Sequence, residues 1–303
     1  MAQAEGASGR VPGSSLVVSV RSLRAGRFVL SLARPLVMGV VNLTADSFSD
    51  GGRFLHPALA IEHARRLVDE GADLLDLGAE STRPGALPVT ESEELDRLLP
   101  VLEALAGLDC PVSVDTMKPG VMRAALAAGA SMVNDVRALL EPGAVDALAA
   151  SDAAVCLMHM QGLPRTMQAA PHYDDVLTEV AHFLAARAAA CRSAGISADR
   201  IVLDPGYGFG KTPAHNLSLL AHQSGLARLG YPLLAGLSRK SLIGHITGRG
   251  ADDRLAGSLA AALIAVQQGA RILRVHDVAP TRDMLAVWAA LDQAAQAKNQ
   301  DAQ

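Results

Sequence analysis

From Pro35 onward the chain alternates between two kinds of segment. One kind is a short run rich in Val, Leu and Ile without clean alternation, as expected of parallel strands buried on both faces. Such runs predict strands over 35–43, 73–78, 111–115, 132–136, 154–158, 201–204, 233–237 and 271–275. The other kind is longer, with residues such as Leu59, His63 and Leu67 recurring at helical spacing. It predicts helices over 57–69, from Thr90 onward, and over 119–128, 142–149, 176–194, 214–229, 251–268 and 280–293. Thr90 with Glu93 three residues on has the pattern of a capping box, and Pro57 suits a first helical turn. Gly71, Gly129, Gly195, Gly230 and Gly269 stand where a helix should turn into the next strand. Ahead of the alternation, 16–20 and 27–33 read as the arms of a β-hairpin with Ala25-Gly26 at its turn.

Strict β–α alternation is compatible with a doubly wound open sheet. Eight units in about 260 residues favour a closed (β/α)8 TIM barrel, with the N-terminal β-hairpin covering the barrel's N-terminal end. The expected organisation is a disordered tail over 1–15, one domain over 16–296 and a second tail over 297–303, with no linker and no second domain.

Composition removes several classes. The 303 residues are 50% hydrophobic and 19% charged, too apolar for intrinsic disorder and long enough to fold without a metal or disulfide staple. A net charge of −4 carries no basic footprint, so no nucleic-acid partner is expected. The longest apolar run, 255–266, falls short of the roughly 20 residues of a membrane span. Cys110, Cys156 and Cys191 are scattered without a CxxC pair, and the N-terminus lacks the apolar core of a secretory signal. Both point to the cytoplasm.

In a barrel, the strands' C-terminal ends and the loops after them build the active site. Every predicted strand brings polar residues there: Asn42 and the run from Thr44 to Gly52; Asp76 and the run from Glu80 to Gly85; Asp115; Asn134-Asp135; His159; Asp204; Ser238-Arg239-Lys240; Arg274 and His276. Any one of these could be a cap or a loop residue, and together they could form a purely structural network. The set nevertheless has a chemical shape. Asp204 and Asp115 can accept paired N–H bonds from a heterocycle, Asn134 can donate and accept, and Lys240 can donate to a ring oxygen or nitrogen. Arg274 can stack on a flat ring or bind phosphate, and Asn42 is a plausible oxygen ligand for Mg2+. The set describes a planar polar heterocycle carrying an anion.

Two patterns mislead. The run Gly206-x-Gly208-x-Gly210-Lys211-Thr212 resembles a phosphate loop but has Pro205 where a glycine is needed, and Lys211 stands where a dinucleotide fingerprint needs its third glycine. Met158-His159-Met160 looks metal-like, but a lone His between two Met reads better as packing or a barrel-mouth polar group. Neither His-Glu-x-x-His nor Gly-x-Ser-x-Gly occurs.

The sequence resembles the dihydropteroate synthase family, the sulfonamide targets of folate biosynthesis, from about Pro35 to Asp292. The motifs that carry the resemblance are Met38-Gly39-Val40-Val41-Asn42-Leu43-Thr44, Asp46-Ser47-Phe48-Ser49-Asp50-Gly51-Gly52, Glu80-Ser81-Thr82-Arg83-Pro84-Gly85 and Ser113-Val114-Asp115-Thr116. They continue in Val133-Asn134-Asp135, Leu157-Met158-His159-Met160-Gln161-Gly162, Asp204-Pro205-Gly206-Tyr207-Gly208-Phe209-Gly210-Lys211, Ser238-Arg239-Lys240 and Arg274-Val275-His276-Asp277-Val278. The resemblance implies a homodimeric, Mg2+-assisted enzyme with small-molecule substrates. It joins 6-hydroxymethyl-7,8-dihydropterin diphosphate to 4-aminobenzoate, giving 7,8-dihydropteroate and pyrophosphate.

By the same resemblance, Asp76, Asp115, Asn134, Asp204, Lys240 and Arg274 bind the pterin. Asn42, Thr82, Arg274 and His276 face the diphosphate, with Asn42 as the metal ligand. Phe48, Thr82, Arg83, Pro84 and Ser238 belong to the aminobenzoate side. Asp115, Arg274, His276 and Lys240 are the implied catalytic groups, and the loops with Phe48 and Arg83 order late and exclude water. Ala45, Ala79 and Leu163 depart from the family pattern in loops and leave the pterin set intact. Two other readings compete: a non-catalytic pterin-binding paralogue, and a methyltransferase barrel that binds a reduced folate. The presence of Asn42, Thr82, Arg83, Lys240 and His276 argues against the first. The 80–85 and 238–240 runs have no use in the second.

Overall fold

A computed structural model describes residues 21–43, 55–81 and 87–300. Its first element is a hairpin of β1 (Ser22–Ala25) and β2 (Phe28–Ser31). Ala25 pairs with Phe28, so Gly26 and Arg27 form the turn, and Gly26 takes the positive φ of +58° that a two-residue turn asks of its first position. The first arm is therefore Ser22–Ala25, not 16–20, which lies outside the described residues. Leu23 and Ala25 are fully buried while Ser22 and Arg24 are not, and this alternation selects the arm.

Eight strands then follow: β3 (Leu36–Asn42), β4 (Leu74–Gly78), β5 (Val112–Asp115), β6 (Met132–Asp135), β7 (Ala154–Met158), β8 (Ile201–Asp204), β9 (Leu233–Ala235) and β10 (Ala270–Val275). All pair in parallel, and β10 closes against β3 to complete the barrel. The helices are α1 (Leu55–Asp69), α2 (Glu91–Leu105), α3 (Pro119–Ala127), α4 (Ala144–Ala149), α5 (Val176–Ser193), α6 (Pro213–Ala221), α7 (Ser224–Ala227), α8 (Ser241–Thr247), α9 (Leu255–Gln267) and α10 (Val278–Gln300). The predicted capping box is formed: the Glu93 amide donates to the Thr90 hydroxyl at 3.3 Å, and the Thr90 amide donates to the Glu93 carboxylate at 2.9 Å.

Several local expectations are corrected. On α1 the buried stripe is Ala60, Ala64 and Leu67, while Leu59 is 43% exposed; the small alanines let the helix lie close to the strands. The helix predicted over 214–229 breaks into α6 and α7 at Gln223. This fully buried side chain donates to the Ala265 carbonyl (3.0 Å) and accepts from the Tyr207 hydroxyl (2.7 Å). The segment predicted over 251–268 opens with a 3-10 turn, Ala251–Asp253, before α9. Helix α8 has only Leu242 and Ile243 buried and gave no periodic signal. The predicted tail 1–15 lies outside the described residues, as do 301–303, and α10 continues to Gln300.

The strand pleat sorts the core. Val37, Val41, Leu75, Val114, Val133 and Leu203 face the helices, and the residues between them face the barrel interior. Low in the interior sit Met38, Leu74, Met132, Ala154, Val202, Leu234 and Ile272, packed with Leu23, Ala25 and Leu32 around the hairpin. The Gly26 amide donates to the Asp152 carbonyl at 3.0 Å, so the hairpin closes the N-terminal end as expected. No helix among the described residues is long and apolar enough to cross a membrane.

Candidate active site at the C-terminal end of the barrel

Two residues beyond that apolar layer, the inward positions turn polar. Leu74 is followed by Asp76, Ser113 by Asp115, Met132 by Asn134, Val202 by Asp204 and Ile272 by Arg274. Arg274 spans two carboxylates: Nε donates to Asp76 Oδ2 at 2.6 Å and Nη2 to Asp115 Oδ2 at 3.0 Å. Asn134 Nδ2 also donates to Asp76 Oδ2, at 3.2 Å. The remaining oxygens, Asp76 Oδ1 and Asn134 Oδ1, are buried without a hydrogen-bond partner among the described residues, as is Ser113 Oγ. A buried unpaired acceptor costs about 1–3 kcal/mol, so these atoms are set for donors from elsewhere.

Burial pushes the Asp115 carboxyl up from the ordinary carboxylate range, and Arg274 opposes that shift. Burial would lower the Arg274 guanidinium, but Asp76 and Asp115 outweigh it and the net shift is upward. Asp204 is likewise raised by burial, opposed by Lys240, and its Oδ1 accepts the Gly206 amide at 2.7 Å. Burial brings Lys240 down to about 8, against the pull of Asp204. The Lys240 ammonium donates to the Tyr207 carbonyl and lies 4.8 Å from the centre of the Phe209 ring.

Around the rim, Asn42 ends β3. Ser238 and His276 follow β9 and β10, with Ser238 Oγ 3.0 Å from His276 Nδ1 and accepting the His276 amide at 3.2 Å. Arg239 turns away to Asp277, at 3.0 and 2.5 Å. Glu80 also turns aside: Lys118 Nζ stands 2.5 Å from both Glu80 Oε2 and the fully buried Glu94. Glu80 Oε1 accepts the Val89 amide at 3.2 Å, and Arg97 donates to the Ala79 carbonyl at 2.9 Å. The chain is therefore pinned on both sides of 82–86. Phe48, Thr82, Arg83 and Pro84 lie outside the described residues, as does Ala45.

Residues 38–276 match the family described as pterin binding enzyme. The chain is 54% identical over 273 residues to the dihydropteroate synthase of Neisseria meningitidis serogroup C, covering 88% of this chain and 96% of that one. Against the Escherichia coli K12 dihydropteroate synthase it is 50% identical over 259 residues, covering 85% and 92%. The chain belongs to the dihydropteroate synthase family of pterin-binding enzymes. Among solved structures, the Xanthomonas albilineans dihydropteroate synthase with 4-aminobenzoic acid superposes with a TM-score of 0.85 at 55% identity, covering 90% of this chain and 98% of that one. The Burkholderia cenocepacia enzyme complexed with 7,8-dihydropteroate superposes at 0.83 and 50% identity, covering 91% and 98%.

Within this pterin-binding barrel, two residues expected at the rim point elsewhere. Asp135 alternates outward and accepts the amides of Arg137 (2.8 Å) and Leu139 (2.7 Å), bracing a turn in which Ala138 and Leu139 take positive φ. His159 also faces out of the barrel, against Phe183 and Tyr173, and meets Lys211 Nζ at 2.9 Å. Sequence reasoning passed over Lys118, Gln223 and Tyr173, whose contacts are long-range. It placed Lys211 in a rejected phosphate-loop pattern and at the end of a family motif, without a role.

Proposed function

We propose that this polar layer is the pterin site of a dihydropteroate synthase. The chain condenses 6-hydroxymethyl-7,8-dihydropterin diphosphate with 4-aminobenzoate, giving 7,8-dihydropteroate and pyrophosphate. The observation that carries the site assignment is the pair of buried, unpartnered acceptors, Asp76 Oδ1 and Asn134 Oδ1, in one layer with Asp115, Asp204, Arg274 and Lys240. A pterin edge presents the N–H donors that such acceptors lack, and its ring oxygen and nitrogens suit the Lys240 ammonium.

The reaction follows from charge. The carbon–oxygen bond to the diphosphate breaks, its electron pair leaves with pyrophosphate, and the pterin methylene becomes cationic. The amine nitrogen of 4-aminobenzoate then bonds to that carbon and gives up a proton. Asp115 offsets positive charge on the ring, and Arg274 and His276 stabilise charge growing on the leaving oxygens. An aniline nitrogen is largely unprotonated at neutral pH, so no strong base and no nucleophilic side chain is required.

We propose that Mg2+ assists through few protein ligands, the manner usual for that ion. Among the described residues no group of three or more His, Cys, Asp or Glu side chains could hold a metal, while Asn42 offers a neutral oxygen at the end of β3. An ion there would be held by Asn42, the substrate diphosphate and water. When bound, it supplies Lewis-acid neutralisation of the leaving group.

We also read the chain as a cytoplasmic homodimer. Its three cysteines are free and buried, which suits a reducing compartment. Leu259 and Leu263 are half-buried, Val266 is core, and exposed Ile264, Val287 and Leu291 supply apolar surface for a second copy. The non-catalytic alternative is not favoured: the relatives at about 50% identity are synthases, and Asn42, Lys240 and His276 are all retained.

The test is pyrophosphate release from the pterin diphosphate and Mg2+, with and without 4-aminobenzoate. Release that depends on 4-aminobenzoate and yields dihydropteroate is expected. Tight pterin binding without release would return the binding paralogue.

A further inference from the structure

Two motifs that the chemistry leaves unused meet beside the pterin site. Lys211, at the end of the glycine-rich run, is 2% exposed. Its ammonium donates to the carbonyls of Gly206 (2.9 Å), Phe209 (3.0 Å) and His159 (3.3 Å) and lies 2.9 Å from His159 Nδ1. Burial, reinforced by Lys211, holds His159 down at about 3, so the imidazole is neutral and accepts. The partners that Lys211 bonds are thus all uncharged. A buried ammonium bonded only to neutral groups is costly, and a site that merely needed filling would be served by Leu or Met.

Within the loop it bonds, Tyr207 is core, and the glycines on either side of it carry no side chain to pack. Gly206 and Gly210 adopt φ of +68° and +62°, and a Cβ there would lie 1.9 Å from the His159 carbonyl oxygen and 2.3 Å from that of Gln161. At these two glycines the loop lies backbone against backbone, so its position there depends on donors that reach its carbonyls. Each carbonyl from Gly206 to Thr212 accepts from a side chain. Gln168 serves Gly208 (2.5 Å), Tyr173 serves Gly210 (2.8 Å), and Asn216 serves Lys211 and Thr212 (3.2 and 2.8 Å). Lys240 serves Tyr207, and Lys211 takes the carbonyls of Gly206 and Phe209 on either side of that contact. The same loop sends the Gly206 amide to Asp204 Oδ1.

We propose that Lys211 is a positioning residue for pterin recognition: it clamps the 206–210 loop onto His159, so that the Tyr207 carbonyl and the Gly206 amide hold Lys240 and Asp204 in place for the heterocycle. Lys211 acts through those two residues and touches no substrate. The proposal rests on the synthase reading and adds a residue to it.

The experiment is titration calorimetry of the full-length protein with 6-hydroxymethyl-7,8-dihydropterin diphosphate and Mg2+, paired with steady-state kinetics. Absence of binding by the unaltered protein would overturn the synthase reading itself. Given that binding, Lys211→Met is expected to raise the pterin Kd roughly ten- to a hundredfold, the loss of one well-aimed charged hydrogen bond. The KM for 4-aminobenzoate at saturating pterin should stay within about twofold, and the Lys211→Met/Lys240→Met double variant should lose clearly less affinity than the two single losses combined, because the Lys240 route is shared while the Asp204 route remains. Unchanged pterin affinity in Lys211→Met, or fully additive losses, would overturn the proposal while leaving the synthase reading intact. Should Lys211→Met not fold, Tyr173→Phe removes one hydroxyl from the Gly210 carbonyl of the same loop. A several-fold rise in pterin Kd that shrinks in the Lys240→Met background supports the proposal, and no rise, or one of the same size in that background, overturns it.

Discussion

The lower and upper halves of the barrel interior are built on the same strands, one pleat apart, and they do opposite things. Below, Leu74, Met132, Val202 and Ile272 pack with the hairpin's Leu23, with Ser113 Oγ beside them the unpartnered polar atom at that level among the described residues. Above, Asp76, Asn134, Asp204 and Arg274 bury charge and leave Asp76 Oδ1 and Asn134 Oδ1 without partners. The first arrangement stabilises the fold through apolar burial. The second opposes folding and makes sense only when a polar ligand completes it. The parallel barrel lets the two coexist, because alternate residues of one strand reach different layers without disturbing the helix-facing side.

The sharpest way to break this comparison is Asp204→Asn. Pterin affinity should fall by about 2–5 kcal/mol, because buried ring donors lose a charged acceptor. Stability should not fall with it. A carboxyl raised by burial contributes stability that is present below its unfolded pKa and lost as pH rises through its folded one, so at neutral pH the charged Asp204 is a burden. Calorimetry with unchanged pterin affinity, or a large drop in Tm, would contradict the division. The converse variant is Leu23→Ala in the hairpin, where the side chain is fully buried. It should remove about 2–5 kcal/mol of stability in denaturant titration and leave pterin affinity as it was. A weakened site in the folded variant would mean that the lower layer also sets the upper one.

A smaller effect separates the two substrates. Glu80→Gln keeps an oxygen for the Val89 amide but removes the charge facing Lys118. The family resemblance implies an aminobenzoate role for 82–84, and on that reading the KM for 4-aminobenzoate should rise by roughly tenfold, the scale of one charge-assisted contact, with pterin Kd nearly constant. Equal changes in both would place Glu80 with the pterin layer.

The two halves also differ in how far the sequence exposes them. Strands β7 and β8 are predicted to the residue and β3 and β4 nearly so, because a run such as 154–158 is apolar on both faces and bounded by breakers. The polar layer is legible too, since Asp115 and Asp204 end such runs and Asn134 and Arg274 stand near the ends of theirs. Their pairing is not: Arg274 reaches Asp76 and Asp115 across the barrel, and only strand register brings them together. Asp135 and His159 show the same limit from the other side. Asp135 adjoins Asn134 and His159 follows the last residue of β7, and the pleat turns each outward. Helix α8 and the break at Gln223 escaped because short or tertiary-bonded helices carry no periodic signal.

The smallest predicted effect tests the comparison within one side chain. Burial holds Lys240 at about 8 while Asp204 pulls it up. On the proposed reading its charge serves the pterin, so affinity should be halved near pH 8 and fall by roughly tenfold per unit above it. Stability should move the other way. A lysine depressed in the folded state contributes stability that is present above its unfolded pKa and lost as pH falls through about 8. Lys211, lowered to about 7 by burial, adds to that trend with the same sign. Between about pH 8 and 10, then, Tm of the ligand-free protein should carry a rising contribution while pterin affinity declines. Lys240→Met should remove the affinity slope and reduce the stability slope to the part that Lys211 supplies. Parallel trends in the unaltered protein would mean that the charge of Lys240 helps the fold as well as the ligand, and that the upper layer is less dependent on its substrate than its unpaired oxygens imply.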